Sequence, residues 1–322
     1  MGFFATIGRG WQLSKLSYSV VKADPELLLY TLFSAFMVFV TIIVASYPMY
    51  QAEQTEGGHW ALTDEEIDPE TGELVGGGMS DQYMLWVFLA YMIGSIIVVF
   101  WNSAIIASAH ERLTGGNPTI MTGIKVAFSR FHIIVLWGII TGTVGLLLRI
   151  ARDAIRDNKR AHPAMKILAR IVLMLVEVAW WIYTFFIIPM IVLEKKSIRE
   201  GLRDGRTLFG KTWGENVTSG LGIGFLTLIG IILSLVIGLP ILYYISTTAG
   251  IIILVTLIGF TILLSNTAEV VVVAALYEYA KTGKMPDLNG NGSKFEEALP
   301  WQSKSGWANE SAKTKAWREG TG

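Results

Sequence analysis

The chain has 322 residues, of which 52% are hydrophobic and only 16% are charged. A soluble domain carries about 25% charged residues, so this chain has too little charge to cover a water-facing surface. The formal net charge is zero and there is no cysteine, which argues against nucleic-acid binding and excludes disulfides, thiolate catalysis and cysteine-ligated metals. No cofactor is expected.

Six segments are apolar over roughly the 20 residues that a helix needs to cross a bilayer. They are Leu27–Tyr47, Tyr83–Ile106, Ile133–Leu148, Ile167–Val192, Val217–Leu239 and Ala249–Leu276. The uncharged stretch Pro240–Thr248 predicts a tight turn at the membrane interface between the last two segments. The predicted fold class is therefore all-α, a polytopic membrane helix bundle.

Lys and Arg near the span ends predict the orientation. Residues 48–82 carry nine acidic residues and no Lys or Arg, which places this loop outside. Its turn signals predict a small hairpin over Glu65–Leu74. Residues 193–216 carry six basic residues, which places that connection inside. Both termini are then expected in the cytoplasm, with the protein in the cell membrane.

One connection does not follow the rule that basic residues lie on the cytoplasmic side. Residues 149–170 carry seven basic and two acidic residues, yet six crossings place them outside. A re-entrant hairpin over residues 133–192 would keep every basic loop inside. Six crossings is the preferred interpretation, because the fourth segment is long enough to span even when tilted. The acidic outer loop is then expected to dock on this basic connection.

Three segments that enter membrane hairpins share a pattern, an Ile with a Gly three residues later and an aromatic residue eleven residues later. They are Ile7–Tyr18, Ile120–Phe131 and Ile198–Phe209. Each is typical of an amphipathic helix that lies in the cytoplasmic interface. The pattern predicts a threefold repeat of interfacial helix and hairpin, and chance similarity among short amphipathic helices is the alternative.

Residues 1–284 are predicted to form the transmembrane bundle, and residues 285–322 a polar cytoplasmic tail. The composition of the tail is typical of disorder. Three tryptophans, Trp301, Trp307 and Trp317, favour the alternative that the tail docks on the bundle or on a protein partner.

The chain resembles a widespread bacterial and archaeal family of six-helix membrane proteins whose function is not assigned. Three blocks carry the resemblance: RGWQLSKLSYSVVKADPELLLY, then GGNPTIMTGIKVAFSR with TGTVGLLLRIARD, then FFIIPMIVLEKKSIREGLRDGRTLFGKTWGENVTSGLGIG. The last block is loosely similar to the membrane domains attached to some glycerophosphodiester phosphodiesterases. The resemblance implies a six-helix membrane fold, and it identifies no catalytic or binding residues in this chain.

Glu177 and Glu269 are the acidic residues deep in predicted spans, and Asn266 lies near Glu269. An ionised carboxylate in hydrocarbon is expensive, so each must be protonated, paired or turned toward a wet cavity. They are candidates for a proton- or cation-coupling site, with a structural carboxylate as the alternative. Candidate lipid-headgroup ligands are the basic residues Arg149, Arg152, Arg156, Arg203 and Arg206.

His110, Glu111 and Arg112 follow the second span, but a zinc-protease helix needs a second His where Thr114 stands. Solvated interfacial side chains are the preferred interpretation. Two pairs of glycines four residues apart, Gly138/Gly142 and Gly220/Gly224, predict close helix packing inside the bundle, with a homodimer interface as the alternative.

Three functional hypotheses remain open at this point. The first is a non-enzymatic module that organises membrane lipid or holds a protein partner. The second is a small-solute or ion transporter with an intramembrane carboxylate, and the third is a lipid-modifying enzyme around His110.

Overall fold

The computed structural model describes residues 3–54, 60–62, 65–67, 74–76, 79–157 and 162–288. Within these residues the chain forms nine helices and one two-stranded hairpin. The elements are α1 (Phe3–Ala23), α2 (Glu26–Gln54), β1 (Glu65–Ile67), β2 (Leu74–Gly76), α3 (Asp81–Leu113), α4 (Ile120–Ser129), α5 (Phe131–Asp157), α6 (Pro163–Thr184), α7 (Ile187–Val192), α8 (Ile198–Tyr244) and α9 (Thr247–Thr282). The strands are antiparallel, which confirms the predicted hairpin, and the all-α class is confirmed.

Six helical segments are long and apolar enough to cross a membrane, which confirms a multi-pass membrane protein. They are Glu26–Gln54, Asp81–Leu113, Phe131–Arg156, Pro163–Val192, Val217–Tyr244 and Thr247–Thr282. The third span, which is short in the sequence pattern, is 26 residues long because α5 continues through the basic residues after Leu148. Its length therefore suffices for a full crossing.

Apolar side chains cover the outer faces of these helices. Phe36 on α2 is 63% exposed and Leu221 on α8 is 69% exposed, and α6 has no buried residue at all. Exposed apolar surface on this scale would be unstable in water. It therefore faces lipid.

The fourth span is broken at Phe185 and Phe186, between α6 and α7. Pro189 explains the break, because it has no N–H to donate to the Phe185 carbonyl and its ring collides with that position in a regular helix. After the break, α7 is almost entirely buried, including Ile187 and Met190. Pro48 and Pro240, in contrast, lie inside continuous helices.

Two predictions about helix ends are wrong. The turn predicted over Pro240–Thr248 is confined to Ile245 and Ser246, because α8 continues through Pro240 and the Ser246 hydroxyl caps α9 at the Ala249 N–H. The segment Ile198–Phe209 is not a separate helix, since it is the beginning of the 47-residue helix α8.

The three repeated segments are nevertheless all helical. Helix α4 begins at Ile120 and α8 begins at Ile198, the first residue of the pattern in each case. The glycines of the pattern, Gly10, Gly123 and Gly201, are all buried. The shared glycine thus marks a site of close packing in each segment, while the position of the three helices at the cytoplasmic surface stays a prediction.

Helix α8 begins where it does because Ser197 and Glu200 form a capping box. The Ser197 N–H donates to Glu200 Oε2 at 3.1 Å, and the Glu200 N–H donates to Ser197 Oγ at 3.4 Å. Two N–H groups that have no partner within the helix are thereby satisfied. The Ser197 hydroxyl also donates to Glu200 Oε2, at 2.7 Å, and this bond, followed by that from the Ser197 N–H, lowers the pKa of the Glu200 carboxyl.

Serine and threonine hydroxyls in the spans repeatedly donate to the carbonyl four residues earlier in their own helix. Examples are Thr41 to Met37 at 2.8 Å, Thr256 to Ile252 at 2.7 Å and Thr261 to Leu257 at 2.9 Å. Each hydroxyl is thereby satisfied without a partner on another helix.

The described residues form two compact units. The first comprises the described parts of Met1–Leu27, Ile106–Met121 and Thr207–Gly322, and the second those of Leu28–Ile105 and Thr122–Arg206. The predicted division between residues 1–284 and the tail stays a prediction, because residues 289–322 lie outside the described part of the chain.

In the first unit, α1 packs closely on α8. Arg9 Nε donates to Glu215 Oε1 at 2.6 Å, and the two side chains are 5% and 7% exposed. One to two turns further along, the Ser14 hydroxyl donates to the Ser219 carbonyl at 2.9 Å. A Cβ at Gly10 would lie 1.9 Å from Thr218 Oγ1, so only glycine fits there.

In the second unit, α3 and α5 pack through small residues. A Cβ at Gly138 would lie 2.8 Å from the Ile96 Cα, and one at Gly142 would lie 2.8 Å from the Met92 methyl carbon. Close packing is therefore confirmed for this glycine pair.

For Gly220 and Gly224 the packing prediction is wrong. No described atom outside their own helix lies within 4 Å of either position. Gly222, which lies between them, does pack closely, because a Cβ there would lie 2.4 Å from Ser14 Oγ.

Candidate functional site

The second unit contains a cavity of about 780 Å³ that is lined by residues of α2, α3, α5, α6 and α7. Small-molecule sites occupy about 300–1,000 Å³, so the cavity has the size of a binding site. Its walls are the membrane-spanning parts of these helices.

The contact between α3 and α5 forms one wall. The Ser95 hydroxyl donates to the Gly138 carbonyl at 2.8 Å and lies 3.1 Å from the Thr141 hydroxyl. Further along, Tyr91 Oη is 3.0 Å from the position of a Cβ on Gly145. The two helices therefore run antiparallel, and residues later in α5 lie beside residues earlier in α3.

Four residues at intervals of four follow the cavity along α5, namely Trp137, Thr141, Gly145 and Arg149. Such spacing keeps residues on one side of a helix over about three turns. Trp137, Thr141 and Arg149 line the cavity, and Gly145 leaves room for the Tyr91 ring. This row of four residues begins with the indole of Trp137 at one end of the cavity and ends with the guanidinium of Arg149 at the other.

The polar groups of the cavity are concentrated toward one end. Ser46, Tyr83 and Arg149 lie at the ends of α2, α3 and α5 that meet there, and Arg149 is the only charged residue among the described lining residues. The opposite end, near Trp137, has the apolar side chains of Val98, Val99, Ile187 and Ile188.

The hydroxyls along the middle of the cavity already have acceptors. Thr141 donates to the Trp137 carbonyl at 3.0 Å, Thr184 donates to the Trp180 carbonyl at 2.8 Å, and Thr41 donates to the Met37 carbonyl at 2.8 Å. Since these groups offer no unused donor, the middle of the cavity behaves as an apolar surface.

Arg149 differs from its neighbours on α5. Arg152 donates to Glu177 Oε1 on α6, and Arg156 lies 3.3 Å from Asp153. Arg149 has no ion pair or hydrogen bond with any residue of the described part of the chain. Its charge is available to a ligand at the cavity mouth.

The structure gives the candidate intramembrane carboxylates different surroundings. Glu177 is paired with Arg152, and the two side chains are 34% and 61% exposed. Glu269 and Asn266 lie on an exposed side of α9 in the first unit. Glu177 thus has the bonded partner on a neighbouring helix that the structural interpretation requires, and a coupling role for either carboxylate stays a prediction.

Arg203 and Arg206 lie at the beginning of α8, before its spanning part. Arg206 Nη1 donates to Tyr183 Oη at 2.8 Å and stacks over that ring, and Arg203 Nε donates to Asp204 Oδ1 at 2.9 Å. Asp204 also binds Lys196 Nζ at 2.9 Å. The Arg203 hydrogen bond, followed by that of Lys196, lowers the pKa of Asp204.

The side chains of His110 and Arg112, the third group of candidate residues, do not form a single site. His110 Nδ1 is 3.5 Å from Glu278 Oε2, whereas Arg112 donates to both carboxylate oxygens of Asp24 and, at 2.7 Å, to Asn117. Arg112 is thereby held in a bridge between α3 and the end of α1. Among the described residues, no three His, Asp or Glu side chains are grouped so that they could hold a metal ion.

Residues 81–287 match a family of unknown function, DUF6159. The chain belongs to this family. The DUF6159 match includes the second and third blocks on which the resemblance rests, while the first block, residues 9–30, precedes it. A search of curated proteins finds no match to the chain. The looser similarity to membrane domains of glycerophosphodiester phosphodiesterases stays a prediction.

Sequence reasoning identified Arg149 and missed the rest of the cavity. Nothing in the sequence distinguishes the other lining residues from ordinary residues of a membrane span, namely Tyr83, Tyr91, Ser95 and Thr141. The register between α3 and α5 brings these side chains together at the cavity. The four-residue interval from Trp137 to Arg149 was the signal that could have indicated a polar-ended face on α5.

Proposed function

We propose that this protein is a non-enzymatic membrane module that holds membrane lipid in the cavity of the second unit. The observation that carries the proposal is the cavity itself, which is apolar along most of its length and lies among spanning helices. Hydrocarbon is the medium that surrounds such a cavity, so an acyl chain is the occupant that its walls fit best.

The proposal includes a location and an orientation. The protein lies in the cell membrane with both termini in the cytoplasm, as the basic connection over residues 193–216 favours. The tail with Trp301, Trp307 and Trp317 is the part of the chain proposed to bind a protein partner.

A cavity-filling substitution tests the proposal. Gly94 lines the cavity, and no described atom outside its own helix lies within 4 Å of the position of a Cβ there. Gly94→Trp should therefore enter the cavity without a backbone collision. We expect the wild type to retain lipid through gentle detergent purification, and the variant to lose most of it, as measured by native mass spectrometry.

Gly259→Trp is the matched control, because Gly259 on α9 also has open space around it and does not line the cavity. It should retain lipid as the wild type does. Equal lipid retention in Gly94→Trp, or none in the wild type, would refute the proposal.

The helix break favours a second candidate, a solute transporter. Spanning helices that are interrupted beside a cavity are a feature of transporters, and Thr184 and Ile187 flank the break and line the cavity. Of the two candidate carboxylates, Glu177 lies in this unit.

Glu177→Gln separates the transporter from the lipid-holding module. Gln keeps the shape and most of the hydrogen bonding of the Glu177 side chain, which is bonded to Arg152, and removes its titration. A proton-coupled transporter would lose proton-linked flux in proteoliposomes at almost unchanged stability. The lipid-holding module predicts no flux in either protein, with Glu53→Gln, an exposed acid at the end of α2, as the control.

A further inference from the structure

We infer that the cavity of the second unit binds one acyl chain of an anionic membrane phospholipid, with the phosphate of that lipid at Arg149. The inference rests on the proposed lipid-holding function and names the class of lipid. Four features of the second unit support it: charge, length, the distribution of polar groups and the side on which the cavity opens.

The charge at the mouth selects an anionic headgroup. Arg149 is the only charged residue among the described lining residues, and no described side chain neutralises it. Arg152 and Arg156, by contrast, are paired with Glu177 and Asp153. A guanidinium offers two parallel N–H donors that match phosphate oxygens, and such charge-assisted bonds are stronger than neutral ones.

The length of the cavity corresponds to one leaflet. Trp137 and Arg149 both line it, and twelve residues of helix at 1.5 Å each separate them by about 18 Å. Half of a hydrocarbon core about 30 Å thick is about 15 Å. A chain whose headgroup binds Arg149 would therefore end near Trp137, at the apolar end.

The polar groups of the cavity are concentrated at the end where Arg149 lies, as an amphiphile with its headgroup there requires. Tyr83 and Tyr91 add phenol groups on α3, toward the end that Arg149 occupies, while the hydroxyls of Thr141 and Thr184 are bonded within their own helices. An amphiphile with one charged end and one long apolar part matches this order. A polar solute would leave most of its hydrogen-bonding groups without partners in the apolar part of the cavity.

The cavity opens on its side to the lipid-facing surface. Its lining residues Ile42 and Val98 are 57% and 41% exposed, and both are membrane-span residues. A phospholipid can thus place one chain in the cavity while its second chain stays in the bilayer. This argues for a phospholipid drawn from the surrounding leaflet over a free fatty acid.

The test uses the full chain in nanodiscs that contain equal amounts of phosphatidylglycerol and phosphatidylcholine. After mild detergent extraction, native mass spectrometry measures the ratio of the two lipids that remain bound. We expect phosphatidylglycerol to be preferred, and Arg149→Gln to lower that preference about fivefold, since one basic residue contributes about 1 kcal/mol near an anionic surface. Arg149→Lys should keep part of it.

Lys211→Gln is the matched control, because it removes one exposed positive charge of the first unit. It should leave the lipid ratio unchanged. Equal retention of the two lipids by the wild type, or an unchanged preference in Arg149→Gln, overturns the inference while the lipid-holding function stands. A bound fatty acid in place of phospholipid also overturns it, and no bound lipid in the wild type overturns the proposed function itself.

Discussion

Replacing Glu215 by alanine is expected to destabilise the protein by about 3–5 kcal/mol, because it leaves the Arg9 charge buried without its carboxylate. The Arg9 side chain is only 5% exposed and bonds Glu215 at 2.6 Å. An arginine in such a place has little access to water that could replace the lost partner. The free energy of unfolding, measured by denaturant titration in mixed micelles, is the quantity to compare with the wild type.

Two further variants show whether the buried charge is the cause. Glu53→Ala removes an exposed acid at the end of α2 and should change stability by less than about 0.5 kcal/mol. The double variant Arg9→Met with Glu215→Leu replaces both charges by apolar groups of similar size, and it should recover most of the lost stability. A loss below about 1 kcal/mol in Glu215→Ala would show that the pair behaves like an exposed one.

The second large effect is predicted for two glycines, Gly138, which is tightly packed, and Gly224, which has open space around it. Gly138→Ala should destabilise the protein by about 1–3 kcal/mol, since the added methyl group forces a well-packed contact apart. At 2.8 Å, the neighbouring atom is the backbone Cα of Ile96, which cannot turn away as a side-chain end could. Helix α3 itself must shift, and the Ser95–Gly138 hydrogen bond on the cavity wall is weakened with it.

Gly224→Ala should instead raise the free energy of unfolding, that is, stabilise the protein. No described atom outside α8 lies within 4 Å of this position, so alanine removes the helix penalty of glycine, about 0.5–1 kcal/mol, without a collision. Both variants are measured by the same unfolding titration. A shift in the same direction for both would contradict the packing described for α3 and α5.

The spans could be predicted because their signal is local. Twenty consecutive apolar residues identify a crossing whatever the rest of the chain does, and all six predicted segments lie in spanning helices. The beginnings of α4 and α8, at Ile120 and Ile198, were also set by local pattern. A proline is a poor predictor of a helix end in this chain, since Pro240 lies within α8.

Partners on different helices could not be predicted, because spacing along a chain says nothing about which neighbour a face meets. Arg9 and Glu215 are 206 residues apart in sequence, and nothing in the sequence pattern indicates that they pair. Gly220/Gly224 has the same spacing as Gly138/Gly142, yet the close contact in this part of α8 is made by Gly222, which lies between them. Glu177 was identified as unusual, but its partner Arg152 depends on how α5 lies beside α6.

The hydroxyls that bond their own helices have a consequence for biosynthesis. The hydrogen of Thr41, Thr256 or Thr261 is already donated to a carbonyl one turn earlier, so each residue enters the bilayer with its donor already satisfied. To the insertion machinery such a threonine resembles valine, the residue of the same shape. Residue-by-residue hydropathy therefore underestimates how readily these helices partition from the translocation channel into lipid.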